Sequence, residues 1–318
     1  MQKIIFFGDD QYSAIVLTEL IHDTSFTIVS VVTATPKPVG RAQQIIDNPV
    51  EIIAKKAGLN ILYYPDNKSD LDNFLTPLKK DTNDATGVLA SFGKILPKEL
   101  IELFAESGIL CLHPSLLPQY RGATPAPYAI ALGDTETGIT LFRLTSEVDQ
   151  GEIIATSTEP ILPSDTTPTL LTRLFTIGSS FLIRYFNAPH SLKAQSSKLK
   201  ATPIFTRRFS RDTGFVEWGV VQSLLSGKPL TPAETKNPLL LLRLLSVISS
   251  VVERSNTRLI VHDLIRALTP WPGVWTIATT NKGDLRLTLV SVLPEITVKI
   301  AGKKNPIPWS EFEKYYLD

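Results

Sequence analysis

Apolar residues in the first half of the chain fall into short continuous runs bounded by polar, Gly or Pro positions. These runs alternate with longer stretches in which apolar positions recur at helical spacing. Runs at 1–7, 26–33, 59–64, 85–90 and 108–113 read as buried strands, and 12–22, 49–57 and 125–132 as helices between them. A helix from Pro97 to about 104, strands at 138–145 and 152–159, and a long helix at 170–186 complete this half. The alternation predicts an α/β domain with a parallel-rich sheet over 1–189. Residues 190–203, rich in Ser, Lys and Gln, read as a linker to a second domain over 204–318. There the pattern turns strand-rich, at 274–279, 284–293 and 295–301. The leucine-rich stretch 238–252 is shorter than the roughly 20 residues of a membrane-spanning helix, so it is expected to be a buried or interfacial helix.

Composition adds bounds. A chain of 318 residues, 43% hydrophobic and of net charge +1, has material for two cores. The lone cysteine, Cys111, excludes an internal disulfide and a multi-cysteine metal site, and suits a reducing cytoplasm. Lys3 is the only charge before the first apolar run, too little for a signal peptide, so a cytoplasmic protein with no membrane role is expected, by default a monomer. Gly8-Asp9-Asp10-Gln11 turns the first strand into the first helix without a Gly-x-Gly-x-x-Gly pattern. The domain is therefore expected to be Rossmann-like with no dinucleotide site.

Candidate chemistry gathers at the end of the 108–113 strand. His113 is delivered to a carboxyl edge, where open α/β sheets bind ligands, and Pro114-Ser115-Leu116-Leu117-Pro118 follows as a stiff apolar turn suited to a flat ring. Further on, Glu147-Val148-Asp149-Gln150-Gly151 offers a carboxylate that could reach His113, setting its tautomer and raising its basicity. Taken singly, His113 has a plainer reading as a structural histidine and Asp149 as a turn former. The joint pattern decides between the readings.

His-Pro-Ser-Leu-Leu-Pro, Tyr-Arg-Gly-Ala-Thr-Pro at 120–125, Gly133-Asp134, Thr137-Gly138 and Asp149-Gln150-Gly151 together resemble the 10-formyltetrahydrofolate-dependent formyltransferases. Further matches extend the resemblance over almost the whole chain to the methionyl-tRNA formyltransferase branch. They are Thr206-Arg207-Arg208-Phe209, Thr213–Trp218, and Arg266-Ala267-Leu268-Thr269-Pro270-Trp271-Pro272-Gly273. The resemblance implies formyl transfer from 10-formyltetrahydrofolate to charged initiator tRNA, with His113 and Asp149 handling protons and no metal. It also implies Gly93 and Lys94, beside Ser115–Pro118, at the folate, and Lys37, Arg41 and Arg121 at the substrate. The C-terminal domain is implied to be a small OB-like barrel that binds tRNA. The family has asparagine where this chain has Cys111, and Gly-Thr-Pro where it has Gly8-Asp9-Asp10. Residues 219–258 form a segment longer than the family's connecting helix. A formyltransferase for a sugar nucleotide or other small amine, and a catalytically impaired folate- or RNA-binding homologue, are the alternatives.

Charge is split along the chain. Residues 1–203 hold 17 Lys and Arg against 21 Asp and Glu, a balance of −4, whereas 204–318 hold 15 against 10, a balance of +5. A basic second domain fits a polyanionic partner, although a surplus of this size also occurs on ordinary solvated surfaces.

Overall fold

The computed structural model describes residues 1–39, 43–82, 84–104, 107–188, 203–246 and 257–317. Arg41, nearly all of the expected linker and the end of the 238–252 stretch lie outside the described residues. The chain divides into two compact units that interleave along the sequence. One comprises Met1–Gly122, Gly138–Glu159 and Leu171–Phe205, the other Ala123–Thr137, Pro160–Leu170 and Thr206–Asp318.

The first unit is built on a seven-stranded sheet. Its strands are β1 (Gln2–Phe7), β2 (Phe26–Ala34), β3 (Ile61–Tyr64), β4 (Ala85–Ala90), β5 (Ile109–His113), β6 (Glu136–Arg143) and β7 (Ile153–Pro160), in the spatial order β7-β6-β5-β4-β1-β2-β3. β1 pairs in parallel with β2 and β4, and the direction of winding reverses there, which opens a crevice at the carboxyl ends. β5 is parallel to β4 and antiparallel to β6, so the sheet is parallel-rich rather than purely parallel. Ile4, Ile5, Phe6 and Phe7 are fully buried, as expected of a strand covered on both faces.

Helix α1 (Gln11–His22) starts where Asp10 and Ser13 form a reciprocal capping box, and buries Ala14, Val16, Leu17 and Leu20. α2 (Pro49–Lys56) opens on the Asn48 cap. α3 (Leu71–Asp81) has no counterpart in the sequence reading. Leu71, Phe74, Leu75 and Leu78 have helical spacing, but Pro77 and the polar residues among them mask it; Phe74, Leu75 and Leu78 are buried. α4 (Lys98–Glu102) is shorter than expected, whereas α6 (Thr167–Asn187) begins a turn earlier.

In the second unit, α5 (Pro125–Ala131) belongs with α7 (Trp218–Ser226), α8 (Pro238–Ser246), α9 (Thr257–Leu268) and α10 (Trp309–Tyr316). The OB-like expectation takes the form of a four-stranded antiparallel sheet in sequential order: β8 (Val274–Thr280), β9 (Gly283–Ser291), β10 (Thr297–Ile300) and β11 (Ile307–Pro308). Val274, Thr276 and Ala278 are buried and alternate with more exposed neighbours, so one face of β8 forms the core. Among the described residues, no helix is long and apolar enough to cross a membrane.

Candidate active site

All five residues of β5 are buried, and the strand ends on His113, 5% exposed, opposite Thr140 of β6. The imidazole Nε2 lies 2.9 Å from the Tyr120 carbonyl oxygen. A carbonyl only accepts, so Nε2 carries the proton of the neutral ring and Nδ1 keeps a lone pair. Nδ1 faces Asp149, 3.6 Å from Oδ2. A lone pair and a carboxylate oxygen do not hydrogen-bond; the contact becomes strongly attractive only when the ring takes a second proton. Tyr120 therefore orients the neutral ring, and Asp149 waits as counter-charge to the imidazolium. Burial holds the His113 pKa below its ordinary value, and Asp149 and the Tyr120 carbonyl oppose that shift.

The two partners come from loops that secure one another. Asp149 Oδ2 accepts the Gly122 N–H at 2.7 Å, so the 120–122 segment serves His113 through one carbonyl and Asp149 through one amide. Ser91, Tyr120 and Asp149 have φ of 45°, 56° and 51°, in the left-handed region that non-glycine residues adopt at a cost of about 1–3 kcal/mol. Tyr120 and Asp149 both belong to the His113 cluster, and Ser91 closes the neighbouring strand β4. Neither the role of Tyr120 nor that of Thr140 is visible in the sequence, since each acts through hydrogen bonds that need the folded loop.

The turn after His113 is braced internally. Ser115 Oγ donates to the Gln119 carbonyl at 2.6 Å. Thr140 Oγ1 donates to the Ser115 carbonyl at 2.6 Å and accepts the Leu117 N–H at 3.1 Å. Leu116 and Leu117 turn their side chains inward. Leu117 packs with Cys111 and Phe142, and Leu116 fills the space that a Cβ on Gly138 would need. The half-buried rings of Pro114 and Pro118 and the backbone between them are what this turn offers to a ligand. Cys111 is a free thiol, 5% exposed. Burial, and secondarily the Asp149 charge, push its pKa well up, so it stays protonated and is no nucleophile.

Past β4, the Gly93 N–H donates to Asp9 at 3.2 Å and Ser91 Oγ donates to Asp10, tying this turn to the end of β1. The two aspartates that depart from the family pattern thus cap α1 and anchor the neighbouring turn. Lys94 and Lys37 converge on Asp66, at 2.7 and 3.2 Å, and together hold its carboxyl below the usual range. Arg121 is half-buried beside Tyr120. Among the described residues no group of three or more His, Cys, Asp or Glu is placed to hold a metal ion.

Residues 2–186 match the family described as formyl transferase. The chain belongs to that family. A methionyl-tRNA formyltransferase of Roseiflexus sp. (strain RS-1) is 32% identical over 317 residues, covering 98% of this chain and 92% of the relative. One of Ehrlichia ruminantium (strain Gardel) is 33% identical over 185 residues, 58% of this chain and 60% of that protein. Among solved structures, a sugar 3N-formyl transferase shares the fold at 15% identity, with a TM-score of 0.55 over 96% of this chain and 99% of its own. A glycinamide ribonucleotide transformylase from Symbiobacterium toebii, 20% identical, has a TM-score of 0.50 over 58% of this formyltransferase and 86% of its own chain.

Proposed function

We propose that this formyltransferase transfers a formyl group from 10-formyltetrahydrofolate to the α-amine of methionyl-tRNA, acting as a cytoplasmic monomer. The observation that carries the substrate is the length of the likeness. A methionyl-tRNA formyltransferase matches almost the entire chain, the basic C-terminal part included. In that part, Lys282, Lys303 and Lys304 line a groove of about 470 Å³ with Tyr315 and Tyr316, and Lys282 lies 4.4 Å from the Tyr316 ring centre. Clustered ammonium groups beside aromatic rings suit a nucleic-acid backbone, which supports reading 204–318 as the RNA-binding part and 1–189 as the formyl-transfer part.

In the reaction the amine attacks the formyl carbon, the new C–N bond forms and the bond to the folate nitrogen breaks. The amine gives up a proton and the folate nitrogen gains one. His113, neutral at pH 7, is the base, and its second proton lands on the Nδ1 that faces Asp149, where the imidazolium finds its counter-charge. Returning that proton to the leaving nitrogen completes the balance. The residues present fit the donor. The half-buried rings of Pro114 and Pro118 and the backbone of Ser115, Leu116 and Leu117 are assigned to its flat ring, and Gly93 and Lys94 are assigned to the same donor. Lys37, Arg41 and Arg121 are assigned to the RNA substrate. Cys111, where the family has asparagine, leaves the developing oxyanion one strong donor short.

Purified protein with 10-formyltetrahydrofolate should formylate methionyl-tRNA. Transfer only to an amino sugar nucleotide, or donor binding without transfer to any amine, would overturn the reading.

A further inference from the structure

Residues 219–258 are the segment that the formyl-transfer reading leaves without a role. Within the second unit the described part of this segment is firmly built. Asn237 caps α8, its Oδ1 accepting the Leu239 and Leu240 N–H groups while its Nδ2 donates to the Thr213 and Phe215 carbonyls. Glu217, at the start of α7, accepts from Thr235 Oγ1 at 3.0 Å and from the Lys236 N–H at 2.8 Å. Leu239 and Leu240 are buried. Every donor and acceptor of the Asn237 amide head is engaged, so the start of α8 is fixed rather than draped over the surface.

What α8 does with that rigidity lies one turn further along. The Arg243 guanidinium donates to the carbonyl of Leu132, the residue that ends α5. The next residue, Gly133, has φ 70°, and a Cβ there would collide with the same guanidinium. A cation on the last carbonyls of a helix satisfies orphan acceptors and opposes the negative end of its dipole. The other end of α5 is also held. Thr206 Oγ1 accepts the Thr124 N–H at 3.1 Å, Thr124 Oγ1 donates to the Arg207 carbonyl at 2.7 Å, and Phe209 stacks on Tyr128 with ring centres 5.9 Å apart. The short, wholly buried α5 is thus clasped at both ends by the C-terminal half of the chain.

α5 is not an arbitrary helix. Ala123 follows Gly122 by one peptide bond, and Tyr120 and Gly122 supply the carbonyl and the amide that hold His113 and Asp149. We infer that Arg243, carried by the 219–258 segment, is a positioning residue for formyl transfer: it sets α5, and through the continuous chain the 120–122 segment that orients the proton-handling pair. The inference rests on the formyl-transfer reading and gives the C-terminal half a part in the chemistry besides any role in holding RNA.

The test uses the full-length protein and separates turnover from binding. Arg243→Ala and Arg243→Lys are assayed for kcat, for the KM values of the folate donor and of methionyl-tRNA, and for Tm, with and without millimolar guanidinium. A misplacement on the order of 1 Å costs up to roughly 100-fold in rate, so Arg243→Ala should lose about 10- to 100-fold in kcat with both KM values unchanged. Arg243→Lys, and added guanidinium on Arg243→Ala, should restore part of the loss. If Arg243→Ala does not fold, Arg243→Lys alone decides: a fall in kcat at constant KM supports positioning. Unchanged kcat in the folded variant, or a rise in the RNA KM with kcat intact, would overturn the inference. A wild-type protein with no transfer activity would instead sink the underlying reading.

Discussion

His113 is neutral because it is buried, and it can take up a proton because Asp149 is beside the nitrogen that receives it. Activity that needs the neutral ring is lost on acidification only below the ordinary imidazole value of 6.5, because burial lowers the pKa. Asp149→Asn removes the charge that raises this pKa. The acid limb of the kcat profile should therefore move to lower pH while kcat itself falls, on the order of 100-fold or more, as when a general base loses its partner. A limb that stays in place or moves up would disprove the pairing. The same sign governs folding: the unfolded chain takes up this proton first, so the stability contributed by His113 is complete above pH 6.5 and is lost as pH falls through the lowered pKa. At Cys111 the packing on Leu117 and Phe142 sets the terms. Cys111→Asn should raise kcat, by up to roughly 100- to 1000-fold if the amide supplies the missing oxyanion donor. Cys111→Ala should leave kcat unchanged and lower stability by about 1 kcal/mol. A fall in kcat with both would show that the thiol itself contributes. At this scale the sequence revealed which groups carry charge, because residue type and strand-end position are local properties. It did not reveal that Tyr120 orients the ring, since that depends on a carbonyl in a strained turn.

Elements decide whether such groups stay in place. Thr140 on β6 accepts the Leu117 amide and donates to the Ser115 carbonyl, so one buried hydroxyl fixes both the start and the middle of the turn after His113. Thr140→Val keeps the shape but removes both of these buried hydrogen bonds, at about 1–3 kcal/mol. The variant should show a Tm lowered by several degrees and a raised KM for the folate donor, measured by thermal melts and by donor titration; an unchanged KM would place the donor away from this turn. The strands of the sheet were legible from continuous apolar runs, since a strand buried on both faces must be apolar throughout. Helix α3 was not, because Pro77 and the lysines around it dilute a pattern that rests on few side chains. Helix α9 was hidden for another reason: it borders the unusual 219–258 segment, and a family-based reading stops at the matching motif around Arg266.

For the whole molecule, the interleaving of the two units changes what the charge split along the chain can mean. The sequence suggested two consecutive domains, with the basic surplus in a separable second one. In the structure, however, Ala123–Thr137 and Pro160–Leu170 belong with Thr206–Asp318, and Arg266 donates to the carbonyls of Asp165 and Leu162 at 2.7 and 3.2 Å. Cutting the chain near 203 would strip α5 of Thr206, Arg207 and Arg243, so truncation cannot separate RNA binding from catalysis, and point changes in the basic groove must do so. Lys303 and Lys304 suit that purpose, because both are exposed in the turn after β10, at the groove rather than in the core of the sheet. If they meet phosphates, each contributes about 0.7 to 0.9 to the slope of log affinity against log salt. The Lys303→Ala, Lys304→Ala double variant should therefore bind methionyl-tRNA more weakly at low salt, with a slope reduced by roughly 1.4 to 1.8. Its Tm and its affinity for 10-formyltetrahydrofolate should be unchanged. Filter-binding titrations across a range of salt concentrations read the slope directly. An unchanged slope would move the RNA contacts to another face, and a changed slope with weakened folate binding would mean that the charges act on the fold rather than on the partner.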